Sequence, residues 1–153
     1  MSNAKLIKQL NDLLANSTVY YQKLRSCHWL VQGKHFFRLH EIFEEMYNKW
    51  EGYIDEIAER ILTINGVPLN TLKSMLEVSS IEEYKGFDSS TTMVNDITKD
   101  LQYIVESIGQ IIIEAEKVGD RGTANLLDGI SDAQQKRIWM LNAWLQEAPV
   151  CVS

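Results

Sequence analysis

The residues best suited to chemistry crowd into one stretch, His28 to Arg60 (HWLVQGKHFFRLHEIFEEMYNKWEGYIDEIAER). It holds all three histidines, His28, His35 and His40, and closes on the acidic pair Asp55-x-x-x-Glu59. Imidazole nitrogens and carboxylate oxygens together are the mixed donor set of a first-row metal site. Each half alone is a weak signal. An acidic pair four apart on a helix is most often solvated surface, and a single histidine is more often structural than a ligand.

Distance makes the combination informative. His40 and Asp55 fall on one predicted helix, and at 1.5 Å rise per residue they stand about 22 Å apart along its axis. A metal–ligand bond is about a tenth of that. If His28, His40, Asp55 and Glu59 serve one ion, two chains must supply it at a two-fold interface, and symmetry then gives two equivalent sites per dimer. The usual di-iron bundle instead carries Glu-x-x-His on each of two helices of one subunit. No Glu-x-x-His occurs here and no histidine follows residue 40, so an intrasubunit centre, and with it a monomeric di-iron oxygenase, is disfavoured.

Helices must position these groups. Leu6, Leu10, Leu13, Leu14, Tyr20, Tyr21, Leu24 and Cys27 recur at three- and four-residue steps and predict a first helix over 4–31, with a turn at Gly33. Phe36, Leu39, Phe43, Met46, Tyr47, Trp50, Ile54, Ile57, Ala58 and Ile61 predict a second over 36–65, with Asn65-Gly66 as a left-handed stop before Pro68. The stretch 67–90 is too long for a tight antiparallel connection and suggests a short helix over 70–76. A crossover of that length makes the second and third long helices parallel, as in ferritin-like bundles. Third and fourth helices are predicted over 91–118 and 123–146, joined at Gly119-Asp120-Arg121-Gly122. The fold class is all-α: a four-helix bundle with a short extra helix in the long connection, spanning 1–153 as a single domain.

Composition agrees. The 153 residues are 45% hydrophobic and 24% charged, and only two prolines and eight glycines interrupt them, which favours long helices. No apolar run approaches the ~18 residues of a membrane span, and MSNAKLIKQL lacks a secretory core, so a cytoplasmic protein is expected. Cys27 and Cys151 form no disulfide framework. Beside His28, Cys27 suits either a ligand or redox role or, more commonly, a small buried thiol; Cys151 is expected to be exposed. A net charge of −6 argues against nucleic acid as the main partner.

His28-Trp29-x-x-x-Gly33-x-x-Phe36-x-x-Leu39-His40, then Glu44, Tyr47 and Asp55-x-x-Ala58-Glu59-Arg60-Ile61, resembles the Dps mini-ferritins, the DNA-binding proteins from starved cells. The match continues through Gly66-x-Pro68-Leu69, Gly119-Asp120 and Ile138-Trp139-Met140-Leu141, and so covers essentially the whole chain. The resemblance implies a ferritin-like fold and a hollow homo-dodecamer. It implies oxidation of Fe(II), preferably by hydrogen peroxide, storage of Fe(III) mineral inside, and protection from oxidative stress. It also implies ferroxidase sites across the two-fold interface, with His28 and His40 from one subunit and Asp55 and Glu59 from its neighbour. Glu44 matches an additional acidic position near that iron centre. Trp29 matches a position beside it, where it takes up a stray oxidising equivalent or simply packs at the interface. Glu41 and Glu45 are candidates for nucleating mineral, and His35 is expected at the surface. In Dps proteins acidic residues near the start of the last helix line an iron-entry pore. Asp120 lies in the matching region, Arg121 and Asn125 stand where some members are acidic, and Asp128 and Asp132 share a helix face that suits either a pore or solvent.

Two other readings compete. Direct DNA protection, with iron oxidation secondary, is the first alternative and is disfavoured, because the residues before the first helix are few and 148–153 carry no base. A non-catalytic bundle with a merely solvated acidic face is opposed by the clustering of every histidine near the Asp/Glu pair.

Overall fold

The computed structural model describes residues 2–146; Cys151, expected at the surface, lies outside them. Five helices account for the described chain: α1 (Ala4–Leu30), α2 (Phe36–Thr63), α3 (Leu72–Val78), α4 (Ser90–Lys117) and α5 (Arg121–Leu145). Residue pairs fix their directions. Asn3 reaches Ile64, Tyr20 meets Trp50 and His28 meets His40, so α1 and α2 are antiparallel. Lys5 pairs with Glu114 and Lys23 with Asp96 and Asp100, so α4 also opposes α1 and therefore runs parallel to α2. Arg60 bonds to Thr123, and Arg137 pairs with Glu45, which sets α5 against α2. This is the ferritin-like bundle expected from the long crossover, and the short extra helix lies within that crossover. Among the described residues no helix is long and apolar enough to cross a membrane.

The predicted stripes form the core. Leu6, Leu10, Leu24, Phe43, Trp50, Ile57, Ile97, Ile108 and Leu127 are fully buried, while Tyr21, Tyr47 and Ile138 pack on its margin. Helix ends differ from expectation by a few residues, and capping explains the shifts. Thr71 accepts the N–H of Ser74 at 3.2 Å and starts α3 later than predicted. Asp120 accepts the N–H of Thr123 at 3.0 Å and starts α5 earlier. At the end of α2 the left-handed residue is Asn65, with φ 70°. Gly66 answers a different need: a Cβ there would lie 2.8 Å from Ile61 Cγ2 and 2.9 Å from Ile7 Cγ2, so glycine lets α1 and the chain after α2 close on each other.

Asp120 does more than cap α5. Its carboxylate also accepts from the Thr123 hydroxyl at 2.5 Å and from Arg60 Nη2 at 2.8 Å. Burial alone would raise this carboxyl, but the hydrogen bonds from Thr123 and Arg60, with the arginine's charge, hold it below the ordinary aspartate range. Such a group stabilises the fold above about pH 4, and its contribution fades as pH falls through the lowered folded-state value. Asp120→Asn keeps the cap but not the charge. It should lower the melting temperature at neutral pH and make the acid limb of melting scans shallower; an acid limb as steep as wild type would contradict this.

Candidate metal centre

The turn between α1 and α2 creates the histidine cluster. Val31 closes the last turn of α1 by donating to the Cys27 carbonyl at 3.0 Å, Gly33 takes φ 104°, and the Phe36 N–H returns to the Gly33 carbonyl at 3.1 Å. That φ is one that residues with a Cβ rarely adopt. The reversal lays the last turn of α1 on the beginning of α2, where the His28 and His40 rings stack with centroids 3.7 Å apart and planes 10° from parallel.

Their hydrogen bonds are reciprocal. His28 Nδ1 lies 2.6 Å from the His40 carbonyl oxygen, and His40 Nδ1 lies 2.7 Å from that of His28. A carbonyl oxygen only accepts, so each Nδ1 must carry the proton and donate it. In the neutral ring the lone pair then sits on Nε2, the atom that binds metals. Each histidine thus fixes its partner's tautomer, the arrangement by which metal-ligating imidazoles are commonly held. Phe36 stacks on His40 at 4.9 Å and Tyr47 meets His28 edge-on at 5.3 Å, walling the pair with apolar rings.

Glu44, one turn beyond His40, places Oε1 3.6 Å from His28 Nε2. That is too long for a hydrogen bond. It suits two donors sharing an ion, since ligands about 2.0–2.2 Å from a metal stand about 3–4 Å from each other. Asp55 and Glu59 are exposed toward the other end of α2. The helix is continuous from Phe36 to Thr63, so Asp55 lies about 22 Å and Glu59 about 28 Å along the axis from His40. Among the described residues no three His, Cys, Asp or Glu side chains of one chain converge to hold a metal. One chain therefore keeps the candidate ligands in two separate groups: His28, His40 and Glu44 near the start of α2, and Asp55 and Glu59 near its end.

The remaining candidates sort by surroundings. Trp29 is 54% exposed and lies under the Arg25 guanidinium, 5.0 Å from its ring centre. Glu41 pairs with Arg38 at 3.5 Å and Glu45 with Arg137 at 3.4 Å. His35 is exposed, as expected, with Trp144 edge-on at 5.3 Å. Asp120 is engaged within the chain, whereas Arg121, Asn125, Asp128 and Asp132 are exposed on α5. Cys27 is wholly buried, and burial pushes its thiol up to about 12, the state of an inert packing residue rather than a reactive thiolate. Sequence reasoning missed Gly122 and Thr123, which hold Arg60. The one available signal was Asp120-x-x-Thr123, a helix-start pattern that says nothing of a distant arginine.

Residues 7–150 match a family model described as a ferritin-like domain. The chain is 43% identical over 141 residues to general stress protein 20U of Bacillus subtilis, covering 92% of this chain and 97% of that one. The crystal structure of Dps from Staphylococcus aureus superposes with a TM-score of 0.92 at 37% identity, covering 97% of this chain and all of the other. Dps from Vibrio cholerae O1, described as a member of a broad superfamily of ferritin-like diiron-carboxylate proteins, superposes with a TM-score of 0.90 at 37% identity, covering 93% of this chain and 89% of that one.

Proposed function

This chain belongs to the ferritin-like family and, within it, to the Dps proteins, and from that premise we propose that it is a cytoplasmic ferroxidase that oxidises Fe(II) at sites shared between subunits and stores the product. The observation that carries the reading is the reciprocal Nδ1–carbonyl pairing, which leaves Nε2 as the metal-binding atom of both His28 and His40, with that of His28 3.6 Å from Glu44 Oε1. Asp55 and Glu59 of a neighbouring subunit complete the site, and a hollow shell of twelve subunits encloses the mineral.

Iron is here substrate and cargo. Imidazoles receive Fe(II), and the hard carboxylates favour Fe(III) as it forms. Hydrogen peroxide is the proposed oxidant. Two Fe(II) ions give one electron each to a single peroxide, whose O–O bond breaks to leave two oxygens at the level of water. Taking both electrons at one place avoids the one-electron cleavage that releases hydroxyl radical, so oxidation of iron and protection are the same act. Trp29, exposed and next to His28 in sequence, is the proposed acceptor of an oxidising equivalent that escapes. DNA binding is not part of the proposal, since a net charge of −6 opposes phosphate.

The test is anaerobic loading with Fe(II) followed by peroxide. Fe(III) absorbance should rise faster than with free iron, about two irons should be consumed per peroxide, and a spin trap should record less hydroxyl adduct than free iron gives. Oxidation no faster than that of free iron would sink the reading.

A further inference from the structure

The end of α2 that carries Asp55 and Glu59 is held from two sides. Toward α1, Asn3 Nδ2 donates to the Ile64 carbonyl at 3.0 Å, and Asn11 donates to the Val67 carbonyl at 3.1 Å while accepting the Leu69 N–H at 2.9 Å. Toward α5, Arg60 reaches across the bundle. Its Nε donates to Thr123 Oγ1 at 2.9 Å and its Nη2 to Asp120 Oδ1 at 2.8 Å. The guanidinium lies flat against Gly122, where a Cβ would stand 2.6 Å from Nη2 and 2.8 Å from Cζ. Arg60, Asp120 and Thr123 are all at least partly withdrawn from water, so the two-pronged bond is better protected than a surface ion pair.

We propose that Arg60, seated on Gly122, is a positioning residue for Glu59, fixing the rotation of the last turns of α2 and so the direction in which the Glu59 carboxylate faces the neighbouring subunit. The inference rests on the ferroxidase reading. Successive residues of a helix point 100° apart, so pinning Arg60 to α5 sets where Glu59 points. Asp55, one turn earlier, follows less strictly because it is farther from the pinned residue. The apolar anchors Ile57 and Ile61 hold this segment against the core, and the guanidinium fork adds a directional tie to α5 that apolar contact does not supply. A ligand shared with another subunit leaves little tolerance, since misplacement by about 1 Å can cost on the order of 100-fold in rate.

Gly122→Ala tests this without removing a charge. The atoms a Cβ would meet belong to the tip of a flexible side chain, so Arg60 can swing aside. Alanine also suits the first turn of α5 better than glycine does. The melting temperature should stay within about 2 °C of wild type, while the Fe(II) concentration for half-maximal oxidation should rise about tenfold and the rate should fall. Arg60→Ala should show the same shift in Fe(II) dependence, and Arg60→Lys should rescue it only partly, because an ammonium cannot make the fork. Asp55→Ala is the control. If it abolishes oxidation while Gly122→Ala and Arg60→Ala keep the wild-type dependence on Fe(II), the positioning role is overturned and the ferroxidase reading stands. Wild type oxidising iron no faster than free iron overturns both.

Discussion

His28→Ala and Asp55→Ala chains, each expected to lose nearly all peroxide-driven iron oxidation, should regain about a quarter of the wild-type rate when refolded together in equal amounts. The figure follows from symmetry. Random pairing makes about half of the two-fold interfaces mixed, and each mixed interface rebuilds one intact site, with His28 from the Asp55→Ala chain facing Asp55 from the other, beside one site that lacks both ligands. The loss in each variant alone should exceed the 10–100-fold that removing a mere outer-shell partner of a metal typically costs. A site contained within one chain predicts no recovery, because every chain in the mixture lacks one ligand. The experiment therefore reads the division of labour directly, provided both variants keep wild-type helicity and assembly size. The continuous α2 is the reason to expect recovery: a rigid spacer of about 22 Å between His40 and Asp55.

Most of the fold was legible because its signals are local. Apolar steps of three and four residues marked the four long helices, and Gly33, Asn65-Gly66 and Gly119-Asp120 marked their ends. The crossover of 67–90 dictated parallel second and third long helices by length alone. What misled by a few residues was capping, since Thr71 and Asp120 act through side-chain geometry that periodicity does not register. The candidate site was legible as a list of residues and as a distance that one chain cannot close. Its inner chemistry was not. That His28 and His40 bond to each other's carbonyls depends on the path of the chain through Gly33, which spacing leaves open. Arg60 was visible only as part of a motif, because its partners Asp120 and Thr123 lie some sixty residues further along.

Lys23 is the plainest case of a group that sequence periodicity misplaces, and its removal should have the largest effect on stability. It lies between Tyr20 and Cys27 on the apolar stripe of α1 and is only 4% exposed. Its ammonium sits 2.7 Å from both Asp96 and Asp100 of α4, more than seventy residues away in sequence, while the neighbouring Tyr20 hydroxyl donates to the Ile97 carbonyl at 3.0 Å. Burial alone would favour losing the proton, but hydrogen bonds to Asp100 and Asp96, with their charges, hold Lys23 above the ordinary lysine value. The lysine's own contribution is therefore present below about pH 10.4 and is lost as pH rises through the raised value. Burial lifts Asp100 above the ordinary aspartate range, so the pair also weakens on acidification as that carboxylate takes up a proton. Lys23→Ala would leave Asp100, with 18% of its side chain exposed, without its counter-charge beside a new cavity. Breaking a buried pair from one side costs about 3–5 kcal/mol, which for a domain of this size lowers the melting temperature by roughly 6–20 °C. Lys23→Met fills the volume but still strands Asp100, so it should recover little. Lys23→Met with Asp100→Leu removes both buried charges and should recover most of the loss, because Asp96, at 41% side-chain exposure, can return to water. If Lys23→Ala melts within about 2 °C of wild type, the pair contributes nothing to the fold. If instead the double variant is as unstable as Lys23→Ala, a stranded buried charge is not the source of the loss, and the bonds from the ammonium to α4, which methionine cannot make, are what the fold requires.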